Sequence, residues 1–135
     1  MYTKNALTLA DAKGIAAAAE AEALKNKWNV TIAVLDDGGN LIYLQRLDEA
    51  PLGSIVVAQE KARTALLFKK PTKAIEEIIA AGRVVMLALP GATPIEGGLP
   101  LLNKDQIIGA IGVSGVQSSQ DAQIAGAGVE AAAKL

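Results

Sequence analysis

Val30-Thr31-Ile32-Ala33-Val34-Leu35-Asp36-Asp37-Gly38-Gly39-Asn40-Leu41-Ile42-Tyr43-Leu44-Gln45-Arg46-Leu47 is the stretch whose reading decides the fold. Over Val30–Asp36, Val30, Ile32 and Val34 point to one side and Thr31, Ala33 and Leu35 to the other. Both sides are mainly apolar, which predicts a strand covered on both faces. Asp37-Gly38-Gly39-Asn40 supplies residues that tolerate the backbone of a tight turn, and Leu41–Leu47 returns as a second strand. The stretch therefore reads as a β-hairpin.

Upstream of the hairpin, Thr8-Leu9-Ala10-Asp11 pairs a capping hydroxyl with an acid three residues later, predicting a helix that runs to about Lys27. Leu9, Ile15, Ala16, Ala19 and Ala23 form its apolar stripe. Downstream, a helix is expected from about Ser54 to Phe68, with Ile55, Ala58, Ala62, Ala65 and Leu66 at helical spacing. Pro71 suits the first turn of another helix, which buries Ile75, Ile78 and Ile79 and stops near Gly82. Val84–Leu89 is apolar throughout and reads as a strand. Pro90–Gly98 reads as a loop, and Gly98–Asn103 and Gln106–Ser114 as a second hairpin turning near Lys104-Asp105. Ser118-Ser119-Gln120-Asp121 opens a last helix with Ile124, Ala131 and Leu135 inward, Asp121 serving as the capping partner of Ser118.

The resulting order, α-β-β-α-α-β-β-β-α, argues for an antiparallel sheet flanked by helices rather than a doubly wound parallel sheet. No linker, low-complexity tract or repeat interrupts it, so residues 1–135 read as one domain.

Composition excludes several function classes. The net charge is −1, from 13 basic and 14 acidic residues spread along the chain, and only four residues are aromatic. Nothing here tracks a phosphate backbone or stacks bases, so no nucleic-acid partner is expected. The longest uncharged stretches, Val84–Ile95 and Gln106–Gln120, fall short of the roughly 18 residues of a membrane span. Met1–Asn5 lacks a secretory pattern, and a cytoplasmic location is expected. Hydrophobic residues make up 51% of the chain, which leads us to expect a homo-oligomer. Cysteine and histidine are both absent. That removes thiolate chemistry, cysteine zinc sites, the commonest general base and the usual axial haem ligand, and no metal site is expected.

Several segments together resemble one family. Val34-Leu35-Asp36-Asp37-Gly38-Gly39-Asn40-Leu41, Arg46-Leu47-Asp48 and Ala58-Gln59-Glu60-Lys61-Ala62-Arg63-Thr64-Ala65 look like the first half of GlcG/HbpS-type (DUF336) domains. Pro90-Gly91, Gly97-Gly98-Leu99-Pro100-Leu101, Ile108–Gly115 and Gln120-Asp121 look like the second half. The resemblance implies a profilin-like three-layer α/β/α fold with a five-stranded antiparallel sheet. It also implies assembly into higher oligomers. The family includes proteins encoded beside glycolate-utilisation genes, haem-binding secreted sensors, and a domain of PduO-type corrinoid adenosyltransferases. Haem is thus possible by resemblance and disfavoured by the absence of histidine; Tyr43, Met86, Lys61 or a threonine would have to ligate iron.

Candidate site residues fall in three places. Ser114-Gly115, ahead of the last helix, combines close backbone approach with a helix N-terminus that favours an anion; the alternative is that the inner glycines Gly109 and Gly112 admit a tightly packed helix. Gly97-Gly98 is either a backbone cradle facing the same site or a plain turn, with Glu96 beside it as an acid/base candidate. Arg46 and Asp48 share a strand face, and Lys61 and Thr64 a helix face, so the four are candidates for one polar cluster. The bland alternative is an Asp–Lys surface pair. Gly126-Ala127-Gly128 lies inside a helix with no strand before it and is not a dinucleotide fingerprint.

These residues lead us to expect a small-molecule-binding protein of a catabolic pathway that takes a small carboxylate or other anion and needs no cofactor. Its ligand-binding residues would be Arg46, Asp48, Lys61, Thr64, Gly97, Gly98, Ser114 and Gly115. The alternatives are a cofactor-free lyase or isomerase using Asp48, Lys61 or Glu96, and haem or tetrapyrrole binding without a histidine ligand.

Overall fold

The computed structural model describes residues Met1–Leu135. In chain order its elements are α1 (Leu9–Lys25), β1 (Thr31–Asp36), β2 (Leu41–Arg46), α2 (Ser54–Phe68) and α3 (Thr72–Ala80), then β3 (Gly98–Asn103), β4 (Gln106–Ser114) and α4 (Ser118–Ala133). Both expected hairpins form. Their longer-covered strands, β1 and β4, pair with each other, giving one antiparallel sheet in the order β2-β1-β4-β3. β1 is buried from Thr31 to Leu35 and β4 from Ile108 to Val113, whereas edge strand β2 is half-buried at best.

Alternation along the central strands feeds two cores. Ile32, Val34, Ile111 and Val113 point to α1 and α4, whose contributions are largely alanine together with Ile15 and Ile124. Leu35 and Ala110 point the other way, to Ala62, Ala65 and Leu66 of α2. The layers are therefore α1 and α4, the sheet, then α2. The Thr8–Asp11 capping box forms as expected: each side chain accepts from the other residue's backbone N–H at 3.0 Å.

The expected fifth strand does not exist. Val84–Ala88 is a short 3-10 helix beside α3, and the sheet has four strands. An unbroken apolar run carries no period of 2 or 3.6, so its length and β-branched residues were compatible with a strand without requiring one. Its backbone bonds are local instead, from Met86 N–H to Arg83 O and from Leu89 N–H to Met86 O. Val84, Val85 and Leu87 are each more than 60% exposed, so this apolar run is not a core element of the chain. No helix is long and apolar enough to cross a membrane.

Candidate functional site

The sequence-selected residues gather at the end of the sheet where β1 and β3 begin and β2 and β4 finish, but as a packed joint rather than an open pocket. Gly98 and Gly112 are direct partners across β3 and β4. A Cβ on Gly98 would collide with the Lys61 carbonyl, and one on Gly112 with the Ala58 carbonyl and the Ala62 N–H. Glycine at these two positions lets α2 lie directly on the sheet backbone. That is the packing alternative raised for Gly112, whereas a Cβ on Gly109 would meet the Leu35 carbonyl of β1 and the Leu7 side chain and no helix.

Lys61, the residue of α2 that meets β3, is 2% exposed. Its ammonium donates to Val113 O at 3.1 Å and to Asp121 Oδ2 at 3.0 Å. Asp121 Oδ1 accepts from Val116 N–H at 3.2 Å. Asp121 is thus not the capping partner of Ser118; Gln117 and Gln120 form the capping box of α4, and Asp121 is turned inward to bind α2. Burial pushes the Asp121 carboxyl above its ordinary range, while the Lys61 hydrogen bond and charge and the Val116 N–H pull it down and the nearby Glu96 adds to the rise. The buried pair ties the two outer layers together around the end of the sheet.

The remaining candidates are dispersed. Arg46 pairs with Thr31, and Thr31 with Ser114, so β1 separates Arg46 from β4, whose Val113 carbonyl holds the Lys61 ammonium. At the usual strand spacing that is about 10 Å, and neither Arg46 nor Asp48 makes a hydrogen bond or ion pair with Lys61 or Thr64. Arg46 and Asp48 are exposed. Thr64 is buried; its hydroxyl donates to Glu60 O at 2.7 Å and accepts from Thr93 N–H at 2.8 Å, anchoring the loop before β3. Thr72, absent from the sequence candidates, accepts from Gly98 N–H at 3.0 Å and fixes the start of β3. Glu96 faces α3, with its carboxylate 4.0 Å from the Lys73 ammonium. Gly115 has φ +149° and rests against Asn29 O. Every buried side-chain nitrogen and oxygen in the protein has a hydrogen-bond partner. None of the sequence-selected residues lines a cavity.

The largest cleft, about 620 Å³, lies at the opposite end of the sheet, between the two hairpin turns and the C-terminus of α2. Leu66, Leu67 and Ile107 give it an apolar wall; Tyr2, Lys4, Asp37, Lys69, Asp105 and Gln106 supply polar groups. Lys4 reaches Asp37 at 2.7 Å and so holds the N-terminal coil against the first hairpin turn. The hydrogen bond and charge of Asp37 raise the Lys4 pKa. Lys69 has no carboxylate within 4.0 Å. It terminates α2 in the left-handed conformation, φ 55° and ψ 40°. Lys104 and Asp105 in the second turn are left-handed too. Non-glycine residues in this conformation carry a backbone cost; Lys27 and Glu49, which do not line the cleft, share it. Sequence reading missed this cleft. Its one local signal was Phe68-Lys69-Lys70-Pro71, a helix end closed by proline with no glycine where the left-handed residue sits.

Residues 7–130 match the family described as haem-degrading protein HbpS-like. The chain belongs to the HbpS-like family. It is 46% identical over 114 residues to protein GlcG of Escherichia coli strain K12, covering 84% of this chain and 85% of GlcG. The crystal structure of the Klebsiella pneumoniae protein ORFY superposes with a TM-score of 0.91 at 32% identity, over all of this chain and 96% of ORFY. A PduOC complex with haem superposes with a TM-score of 0.84 at 26% identity, over 94% and 95% of the two chains.

Of the side chains weighed as axial ligands, Lys61, Tyr43 and Met86 line no cavity. Lys61 is locked to Asp121, and the Tyr43 hydroxyl donates to Gln45 Oε1 at 3.2 Å from a half-buried position on β2. Met86 sits on the 3-10 helix, and neither it nor Tyr43 lines a cavity. Tyr2, the phenol at the large cleft, is 87% exposed on the outermost coil. No three His, Cys, Asp or Glu side chains cluster to hold a metal.

Proposed function

We propose that this HbpS-like protein binds a small carboxylate, or another small anion, in the cleft at the turn end of the sheet, with the Lys69 ammonium as counter-ion. The observation that carries the reading is Lys69: a cation without an acidic partner, held in a costly backbone conformation, at the mouth of the largest cleft. A volume of about 620 Å³ falls in the range of small-molecule sites. Leu66, Leu67 and Ile107 offer an apolar wall to the ligand body, and Gln106 offers both donor and acceptor to a polar substituent. Lys4, already paired with Asp37, contributes by keeping the wall in place. The acid–base alternative gains no support from this arrangement, because Asp48, Lys61 and Glu96 all lie away from the cleft.

Lys69→Gly separates the two roles of the residue. Glycine fits the left-handed position without a Cβ cost, so the variant is expected to gain up to about 1 kcal/mol in urea unfolding. It loses a charge-assisted hydrogen bond to the ligand, which weakens succinate or benzoate binding roughly tenfold or more in calorimetric titration. A variant that is more stable yet binds these carboxylates as tightly as the parent protein would overturn the assignment.

A further inference from the structure

A second hollow of about 280 Å³ adjoins the first, and Lys69 and Ile107 line both. Apart from Lys69 its walls are apolar, built from Leu99, Pro100 and Leu102 of β3 with Pro71 and Val129. Lys69 stands between a polar cleft on one side and an apolar groove on the other. We infer that the ligand is amphipathic, a monocarboxylate whose head pairs with Lys69 and whose alkyl or aryl tail lies in the groove along β3. The inference rests on the proposed carboxylate site and specifies which carboxylates it takes.

A β-strand from another chain is the obvious competing occupant of an exposed sheet edge, and two features disfavour it. Pro100 removes a backbone donor from β3, and the register slips between Leu101 and Leu102. Both blunt an edge against strand addition. A flexible apolar tail asks for no backbone hydrogen bonds, and burying it gains affinity with each methylene that leaves water. The charge matches as well: the single ionic group at the junction is a cation without a carboxylate partner, which selects an acid over an amine of equal length.

The test titrates the intact protein with acetate, butyrate, hexanoate and octanoate below their micellar concentrations, and with octylamine. Affinity is expected to rise roughly two- to fourfold per methylene until the groove is full, and octylamine is expected to bind at least tenfold more weakly than octanoate. Leu102 is 44% exposed, so Leu102→Glu is expected to leave the fold intact by far-UV circular dichroism. It should abolish the chain-length dependence, with octanoate losing far more affinity than acetate. Carboxylates that bind with equal affinity at every length, or a length dependence indifferent to both Leu102→Glu and Val129→Glu, would overturn the amphipathic ligand and leave the carboxylate site standing. Failure of every carboxylate to bind would overturn both.

Discussion

Gly112→Ala is expected to cost about 3 kcal/mol, at the upper end for overpacking a core, and to lower Tm by roughly 10 °C or more. The added methyl would meet the Ala58 carbonyl and the backbone nitrogen and Cβ of Ala62, so relief requires α2 to move off the sheet rather than a side chain to rotate. That movement would open the layer formed by Leu35, Ala62, Ala65, Leu66 and Ala110. Gly98→Ala meets the Lys61 carbonyl and the Thr72 methyl and should behave alike. Gly126→Ala is the control. Nothing lies near a Cβ at that helical position, so alanine should stabilise the protein by up to about 1 kcal/mol. Thermal and urea unfolding of the three variants check the contrast; equal effects at positions 112 and 126 would contradict the close packing of α2.

Lys61→Ala is expected to cost about 3–5 kcal/mol at pH 7, because it strands the Asp121 carboxylate in a site 2% exposed. The loss should shrink on acidification. Burial already raises the Asp121 pKa in the folded protein, and removing Lys61 removes the main group opposing that rise. An acid whose folded-state pKa lies above its unfolded value favours the fold at low pH and loses that contribution as pH rises through the folded value. The gap between variant and parent should therefore narrow from pH 7 towards pH 4.5, read by urea unfolding at each pH. Lys61→Met with Asp121→Leu removes both charges and should recover most of the stability. A pH-independent cost, or a double variant no better than Lys61→Ala, would show that the pair is not what holds α2 to α4.

Much of this architecture was legible locally. Asp37-Gly38-Gly39-Asn40 and the alternation on either side of it define the first hairpin, and Thr8 with Asp11 marks the start of α1. Where legibility failed, the deciding interaction was non-local or lacked a period. Val84–Leu89 has no alternation to tell strand from turn. Asp121 looks like a capping acid three residues from Ser118, and only the fold shows Lys61, 60 residues earlier, competing for it. The glycines at 98 and 112 signal close approach without naming what approaches. The expected polar cluster treated Arg46 and Lys61 as neighbours, but the strand order places β1 between the strand of Arg46 and β4, which holds the Lys61 ammonium. The turn-end cleft is assembled from Tyr2, Lys4, Lys69 and Gln106, residues with no relation in sequence, and strained backbone at Lys69 and Asp105 becomes visible only in three dimensions.

The carboxylate site itself is tested most directly by titrating the ¹⁵N-labelled protein with butyrate and following backbone amide shifts. The expected result is saturable shifts concentrated at Gly38, Lys69, Gln106 and Ile107 and lost in Lys69→Gly. Shifts centred instead on Arg46, Asp48, Ser114 and Gly115, or no saturable shift anywhere, would contradict it.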